Sequence, residues 1–355
     1  MRRRNLLSAV AALAVMAGAQ AQDTLKVGDA APPLNIDTLV KPGLLGEKGF
    51  SGFEPGRVYI VEFWATWCVP CKASIPHLSK LQERYADKGL TIIGISDEET
   101  DVVEPFVRRM AGKMEYAVAT DYRNRTKEAY LEAAGMKGIP AFFLVDGTGT
   151  VVLMGNPHPR ADAEKLETVL RKVLTGRYDP KLQAQAERPL EAARGARKAR
   201  NWRQALKGYD EIIALKPAVF VETALERFDM LLVDMNDRDA AYTYLSEDLI
   251  EKQYKGDAGA LKLIAEHITS STTLQPEHRD LDVALVAAEA AAEKFGPRSP
   301  EALAVLADVR FHRGEIAEAI DLQKRAWMMA RPQEKDGYRR SLDRFNDAKA
   351  RAKMP

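Results

Sequence analysis

Residues 58–72 read VYIVEFWATWCVPCK, and this stretch decides the fold of the first half of the chain. Residues 58–63 are a nearly continuous run of β-branched and aromatic side chains, which is typical of a strand buried on both faces. Two cysteines follow, Cys68 and Cys71, with Pro70 between them. Proline suits the first turn of a helix, because the amide hydrogen that it lacks has no partner in that turn. The stretch therefore predicts a buried strand followed by a helix that begins at a Cys-x-x-Cys pair.

The surrounding sequence alternates strands with helices as far as residue 174. After the central strand, the hydrophobic pattern predicts a helix over 70–87, a strand over 90–95, a helix over 102–110, a strand over 116–119, a helix over 126–134, two strands over 141–145 and 150–154, and a helix over 161–174. The Asp-Gly-Thr-Gly sequence at 146–149 is a strong hairpin signal between the last two strands. This order implies an α/β domain in which helices flank a mixed sheet on both faces.

The N-terminal sequence predicts export. Three arginines at positions 2–4 precede the apolar residues 6–17, a run too short for a comfortable membrane span. Ala19-Gln20-Ala21 then supplies the small-x-small pattern that signal peptidase recognises. We expect residues 1–21 to be a cleaved signal peptide and the mature protein to be periplasmic; an uncleaved anchor helix is the alternative. The arginine pair also resembles a twin-arginine signal, so the Sec and twin-arginine routes both stay open.

Length, charge and cysteine content set further limits. A chain of 355 residues exceeds one ordinary domain. Its formal net charge of +1 gives no reason to expect nucleic acid or an anionic membrane as a partner. Exported proteins commonly contain structural disulfides, yet this chain has 2 cysteines in total. No other cysteine therefore competes for pairing with Cys68 or Cys71.

The composition changes after Gly176. Ala, Leu, Glu, Lys and Arg dominate and no convincing strand appears, so residues 177–355 are predicted to form an all-α domain, separate from an α/β domain of residues 22–176. Residues 201–217 and 314–332 each resemble the second helix of a tetratricopeptide repeat, and Pro297 and Pro332 lie close to its ~34-residue period. The segment 218–281 matches poorly, so a generic helical bundle stays the alternative to a tetratricopeptide-repeat (TPR-like) domain.

The Cys68–Cys71 pair carries the chemistry that the sequence predicts. Disulfide exchange requires a thiolate that attacks and a second thiol that releases the mixed disulfide. At the start of a helix, unpaired backbone N–H groups and the helix dipole stabilise the thiolate of Cys68 and lower its pKa. Cys71 lies one turn later, close enough to close the ring. We therefore predict that Cys68 is the nucleophile and Cys71 the resolving thiol of a redox-active disulfide.

Other uses of a Cys-x-x-Cys pair fit this chain less well. A structural zinc site needs four ligands, and none of the 5 histidines is spaced to complete one, since His77 and His158 are isolated. Haem attachment needs a histidine directly after the second cysteine, where this chain has Lys72. A permanent disulfide across two residues would restrict little chain entropy. We expect no metal, and no cofactor other than the Cys68–Cys71 disulfide itself.

Residues 61–72 resemble the active-site signature of the thioredoxin superfamily. The order Phe-Trp-Ala-Thr-Trp-Cys-x-Pro-Cys is similar to its exported TlpA/ResA-like branch. Pro76 matches the proline that kinks the active-site helix of thioredoxins, and Gly138-Ile139-Pro140 matches the family's cis-proline segment ahead of a strand. The resemblance covers about residues 58–174 and implies a thioredoxin-like fold there, with the helical C-terminal half outside it.

The resemblance also implies roles for residues around the dithiol. Pro140 would be cis and lie opposite the dithiol, and the backbone of Ile139 would pair with an extended substrate segment. Trp67, together with Val69 and Pro70, would shape the rim that substrates contact. The implied partners are protein disulfides as substrates and a membrane electron donor.

Glu62 is the acidic residue of the predicted central strand. If it lies beneath Cys71, desolvation should raise its pKa and suit it to accept and return the Cys71 proton, whereas a purely structural role is the alternative. Two positions depart from the relatives. Gly94 stands where thioredoxins have a lysine near the buried acid, and Ser74 stands where ResA-like proteins have a carboxylate. Proton handling is therefore expected to rest on Glu62 alone, or on water.

Three functional hypotheses follow. The leading one is a periplasmic thiol–disulfide oxidoreductase that reduces protein disulfides and docks a protein partner on its helical domain; Val-Pro between the cysteines and Ile139 before Pro140 favour the reducing direction. A thiol peroxidase is disfavoured, because the Pro-x-x-x-Thr-x-x-Cys pattern is absent before Cys68. The third is an adaptor protein whose redox domain is only a sensor or a tether.

Overall fold

The computed structural model describes residues 24–158 and 160–351. The predicted signal peptide, residues 1–21, lies outside these ranges. Within them, no helix combines the length and the apolar composition that a membrane crossing requires.

Six strands form one mixed sheet in the first half of the described chain. They are β1 (Ile36–Lys41), β2 (Val58–Phe63), β3 (Leu90–Ser96), β4 (Ala117–Asp121), β5 (Ala141–Val145) and β6 (Val151–Gly155). Their order across the sheet is β1-β4-β3-β2-β5-β6. Strand β2 is parallel to β3 and antiparallel to β5. This pairing places Glu62 opposite Gly94 on one side and opposite Phe142 on the other.

Helices cover both faces of this sheet. They are α1 (Val69–Tyr85), α2 (Thr100–Arg109), α3 (Arg125–Lys127), which continues into a π-helical turn (Glu128–Glu132), and α4 (Arg160–Leu174). Side chains of α1, α2 and α4 share one core with Val58 and Ile60, whereas the π-helical turn packs on the opposite face with Tyr59 and Val61. All residues of β2 are buried, which agrees with its run of β-branched and aromatic side chains, interrupted by Glu62. Burial of each large apolar side chain contributes about 1.5–3 kcal/mol.

The predicted thioredoxin-like fold class is confirmed. Each strand and helix predicted between residues 58 and 174 is present; β2 and β5 have the predicted ends, and the other elements differ at their ends by a few residues. Strand β1 was not predicted. It is an edge strand that pairs with β4 alone, through a register with two irregularities. Most of its side chains are half-buried, so the alternation of apolar and polar residues that marks a one-sided strand is missing.

From Pro180 onward the described chain is helical, as predicted. The helices are α5 (Pro180–Lys198), α6 (Trp202–Leu215), α7 (Val221–Asp229), α8 (Arg238–Thr243), α9 (Ala258–Ser270), α10 (Leu281–Phe295), α11 (Pro300–His312), α12 (Ile316–Met329) and α13 (Lys335–Arg351). Consecutive helices are joined by short connections, which is typical of helix pairs and consistent with repeats. At one crossing the helices approach closely, because a Cβ on Gly208 of α6 would lie 2.8 Å from the Cβ of Ala193 on α5.

The poor match of residues 218–281 to a repeat pattern has a local cause. Helix α7 continues into a π-helical segment at Met230–Asp234, and α8 continues into another at Tyr244–Gln253. A π-helical turn contains an extra residue, so it shifts the side chains away from the 3.6-residue period on which the pattern depends. The assignment to tetratricopeptide repeats stays a prediction.

Ion pairs at two places join the helical region to the α/β domain. In the connection between α4 and α5, Arg177 is buried and forms an ion pair with Asp257, the residue that caps α9. The guanidinium lies so close to Gly259 that a side chain there would displace it. Near this contact, Lys172 of α4 pairs with Glu222 of α7 at 2.7 Å. A glycine at 259 therefore allows the linker arginine to insert into the helical region.

The second contact lies at the C-terminal end of α1. Arg331 pairs with Asp87, and Lys88 Nζ lies 3.2 Å from Glu301 Oε1 and 3.5 Å from Glu334 Oε1. Helix α1 has 17 residues and begins beside Cys68. At a rise of ~1.5 Å per residue, this contact is about 25 Å along the helix from the dithiol. The helical region therefore attaches to the end of α1 that lies away from the cysteines.

We expect Arg177→Ala to loosen the attachment of the helical region, because a buried hydrogen bond to a charged group contributes about 1.5–3 kcal/mol. Limited proteolysis should then cut the connection at residues 175–179 faster than in the unmodified protein, while the secondary structure stays the same. Arg339→Ala is the matched control, since Arg339 forms an exposed pair within α13. Equal cleavage rates for both variants would show that Arg177 does not hold the two parts together.

Candidate active site

The dithiol lies at the first turn of α1. Cys68 is the N-cap residue, and its sulfur accepts a hydrogen bond from the backbone N–H of Cys71 at 3.2 Å. The two cysteines form a disulfide with their Cα atoms 5.3 Å apart. Both belong to the core on the α1 face of the sheet, with Cys71 fully buried and Cys68 3% exposed. In the reduced protein, the N–H groups of this helical turn are placed to stabilise a thiolate on Cys68.

Exposed apolar side chains flank the dithiol. Trp67 is 67% exposed and Val69 is 71% exposed, although both are large hydrophobic residues next to Cys68. Pro70 is exposed as well. Apolar side chains grouped at the surface in this way mark a contact site for another molecule. The three residues thus form an exposed rim, and their predicted role in substrate binding stays a prediction.

Glu98 holds the loop that leads into the dithiol. Its Oε2 accepts a hydrogen bond from the backbone N–H of Thr66 at 2.6 Å, and its Oε1 accepts one from Thr66 Oγ1, also at 2.6 Å. Ser96 Oγ donates a further bond to Oε2 at 3.2 Å. This carboxylate therefore ties the residue two positions before Cys68 to the end of β3.

The peptide bond between Ile139 and Pro140 is cis, which is the geometry that the resemblance implies. Pro140 is buried and directly precedes β5, whose first residue, Ala141, pairs with Phe63 at the end of β2. Ile139 packs against the core that contains both cysteines. The cis-proline segment and the dithiol loop therefore lie at the same end of the sheet.

A cavity of about 430 Å³ opens beside the dithiol loop and the cis-proline segment. Trp67 and Ile139 line it on these two sides. Asp97 and Lys127, which form an ion pair at 2.6 Å, contribute charged lining. Asp121, Glu132 and Lys137 also line it, and its apolar side chains include Phe63, Ile95, Leu131 and Met136. A cavity that combines apolar walls with polar side chains is typical of a binding site.

Glu62 lies on the face of β2 that points toward the dithiol core. It alternates with Val58 and Ile60, which belong to the same core as Cys71, and it is fully buried. Burial raises the pKa of its carboxyl to about 8, while a hydrogen bond from the Tyr116 hydroxyl, 3.4 Å from Oε2, acts in the opposite direction. Glu62 is the one buried carboxylate of the described α/β domain.

Gly94 and Ser74, the two positions that differ from the relatives, each contact a residue of the site. Gly94 pairs with Glu62 in the sheet, so no amine is present at this position. Ser74 is buried and its hydroxyl donates to the backbone carbonyl of Cys71 at 2.9 Å.

Within residues 24–158 and 160–351, no group of three or more His, Cys, Asp or Glu side chains could hold a metal ion.

Two residues of this site were missed by the sequence analysis. Glu98 belongs to the acidic run 97–99 that directly follows β3, and side chains at such a strand end commonly serve a site. That position was a usable signal. Tyr116 precedes β4, and its contact with Glu62 spans 54 residues of sequence. Nothing in the local sequence indicates that contact.

The fold and the dithiol together define the class of protein. A mixed sheet flanked by helices, a Cys-x-x-Cys pair at a helix N-terminus and a cis-proline at the same end of the sheet are the parts of a thioredoxin-like thiol–disulfide oxidoreductase. Residues 27–154 match the AhpC/TSA family model. This match covers the thioredoxin-like domain and not the helical region that follows it.

The chain is similar to individual known proteins over part of its length. The chain is 28% identical over 186 residues to the thiol-disulfide oxidoreductase ResA of Bacillus cereus, covering 49% of this chain and 99% of that protein. It is 24% identical over 220 residues to the protein FixW of Rhizobium leguminosarum, covering 55% of this chain and 93% of that protein. A crystal structure of a thiol:disulfide interchange protein DsbE from Chlorobium tepidum is 30% identical, with a TM-score of 0.36, covering 42% of this chain and 99% of that one.

We expect Glu98→Ala to slow disulfide exchange on the order of tenfold, because a displaced reacting group loses the alignment on which the rate depends. Single-turnover reduction of a disulfide peptide would measure the effect. Glu99→Ala is the matched control, since the neighbouring Glu99 is exposed and provides no side-chain cap for α2. A rate equal to that of the control would show that Glu98 does not position the loop.

We expect the free energy of unfolding of the oxidised protein to fall between about pH 4.5 and pH 8 through Glu62. In this range the unfolded chain has released the carboxyl proton while the folded protein retains it, because burial raises the pKa from 4.5 to about 8. Stability therefore decreases as pH rises, by about 1.4 kcal/mol per pH unit at most. Urea unfolding of the unmodified protein and of Glu62→Gln would measure it.

In that experiment, Glu62→Gln should lose this part of the pH dependence, so its stability relative to the unmodified protein should increase from pH 5 to pH 8. Glu247→Gln, which changes an exposed glutamate of the helical region, serves as control and should leave the dependence intact. Parallel curves for all three proteins would contradict the assignment of a raised pKa to Glu62.

Proposed function

We propose that this protein is a periplasmic reductase of protein disulfides. The observation that carries the proposal is the arrangement at one end of the sheet: a dithiol at a helix N-terminus, an exposed apolar rim of Trp67 and Val69, and a cavity that extends to Ile139. This arrangement suits a polypeptide laid across the dithiol. The backbone of Ile139 then pairs with the client segment beside its disulfide.

The reaction proceeds through one mixed disulfide. The thiolate of Cys68 attacks a sulfur of the client disulfide, and the other client sulfur leaves as a thiolate. Cys71 then transfers its proton to Glu62 and attacks the Cys68 sulfur, which releases the second client thiol. Two electrons pass from the dithiol to the client, and the enzyme is left with the Cys68–Cys71 disulfide. A membrane electron donor reduces this disulfide to complete the cycle.

The helical region serves as a docking surface for a protein partner. Its attachment at Asp87 and Lys88 supports this role, because these residues are at the end of α1 remote from the cysteines. Docking on the helices therefore leaves the dithiol free to react.

We expect the unmodified protein to catalyse reduction of insulin by dithiothreitol, and Cys68→Ser to be inactive because it lacks the attacking thiolate. Cys71→Ser should instead accumulate mixed disulfides with clients, since nothing resolves them. The chain contains 2 cysteines, so every adduct of Cys71→Ser is at Cys68. Unfolding curves of both variants verify that they are folded. A folded, unmodified protein without exchange activity would favour an adaptor role.

The direction is tested by the reduction potential of the dithiol, measured by equilibration with glutathione. A value near thioredoxin's, about −270 mV, agrees with a reductase, whereas a value near that of a strong oxidant, about −120 mV, contradicts the reducing direction.

A further inference from the structure

The carboxyl group of Glu62 is held by one of its oxygens only. Oε2 accepts the hydrogen bond from the Tyr116 hydroxyl at 3.4 Å. Oε1 is buried and has no hydrogen-bond partner among the described residues. Glu62 and Tyr116 are both fully buried. A buried carboxyl oxygen without a partner costs free energy, so an arrangement that leaves one free calls for a functional explanation.

We propose that Tyr116 is a positioning residue that binds one oxygen of Glu62 and leaves the other, Oε1, as the atom that accepts the proton of Cys71. The proposal rests on the proposed function, because that proton moves during resolution of the mixed disulfide. As the Cys71 S–H bond breaks, the proton binds Oε1. The resulting Cys71 thiolate forms a bond to the Cys68 sulfur, and the bond from Cys68 to the client breaks with its electron pair leaving on the client sulfur.

The packing around Gly94 brings these groups together. A Cβ at this position would lie 3.0 Å from Trp64 Nε1, 3.0 Å from Tyr116 Cε2 and 3.2 Å from Glu62 Oε2. The indole, the phenol ring and the carboxyl therefore close over the glycine. Any side chain at position 94 would push at least one of them away. Because residue 94 is a glycine, Tyr116 can approach the carboxyl group of Glu62.

Among the titratable side chains near Glu62, Tyr116 is the one that forms a hydrogen bond with it in the described structure. The two strands that flank β2, Leu90–Ser96 and Ala141–Val145, carry no titratable side chain. On α1, Lys72 and His77 are half-exposed, and no hydrogen bond joins either to Glu62 in the described structure. Burial and the nearby carboxylate hold the pKa of Tyr116 well above its usual value, so its hydroxyl stays a donor at physiological pH.

The test is the titration of Glu62 in the full-length, oxidised protein, in which neither cysteine titrates. Infrared spectroscopy follows the carboxyl band, and Glu62→Gln identifies it. Tyr116→Phe removes the donor that stabilises the ionised carboxyl, so the midpoint should move to higher pH, on the order of one unit. Tyr130→Phe is the matched control: this buried tyrosine donates to the Pro32 carbonyl at 2.6 Å, away from Glu62. It should leave the midpoint unchanged.

A second variant retains the ring and the hydroxyl, which guards against a folding defect in Tyr116→Phe. Difluorotyrosine introduced at position 116 is a stronger donor, and it should move the midpoint of Glu62 to lower pH. A midpoint that is the same in the unmodified protein and in both Tyr116 variants would overturn the proposal.

A second experiment measures, as a function of pH, the rate at which Cys71 resolves a mixed disulfide at Cys68. In Tyr116→Phe, the pH profile should shift upward with the infrared midpoint, so that resolution at pH 7 slows roughly tenfold for a shift of one unit. A shifted midpoint with an unshifted profile would overturn the role of Glu62 as proton acceptor. An unmodified protein without any exchange would overturn the proposed function instead, while the infrared titration would still decide whether Tyr116 controls the ionisation of Glu62.

Discussion

Strand β2 is buried along its whole length and on both faces, and this burial determines where the functional parts lie. The even-numbered residues face the core that α1 covers, so the helix that begins at the dithiol packs directly over them. In that core a carboxyl group is costly to ionise, because little in its surroundings replaces water. The carboxyl group of Glu62 therefore retains its proton to a higher pH than an exposed glutamate does. Its burial in the strand raises its pKa to about 8.

The two carboxyl groups of the site, on Glu62 and Glu98, have different surroundings and suit different tasks. Glu98 is half-buried and accepts hydrogen bonds from Thr66 and Ser96, which occupy both of its oxygens. Such a group positions a backbone segment. Glu62 accepts one long bond and keeps an oxygen unpaired. Such a group suits the proton exchange proposed for Glu62. The division of roles between two like residues follows from hydrogen bonding and burial.

The parts of the structure that were predicted from the sequence are those determined by neighbouring residues. Strand β2, helix α1 and the position of the dithiol follow from local periodicity and from Pro70. Edge strand β1 gave no such pattern, since its half-buried residues do not alternate. The π-helical segments after α7 and α8 obscured the repeat period in the same way. Tyr116 and Glu98 act on Glu62 and Thr66 across contacts between separate elements, which a local pattern does not contain.

The attachment of the helical region to the far end of α1 has a consequence for distance. Contacts on both sides, at Arg177 and at Arg331, fix the helices relative to α1. A polypeptide bound beside Lys88 is thus about 25 Å from Cys68, measured along a helix of 17 residues. An extended chain spans at most ~3.3–3.6 Å per residue, so bridging that gap takes at least about seven residues. Under the proposed docking on the helices, the client disulfide that reaches Cys68 therefore lies at least that many residues from the docked segment.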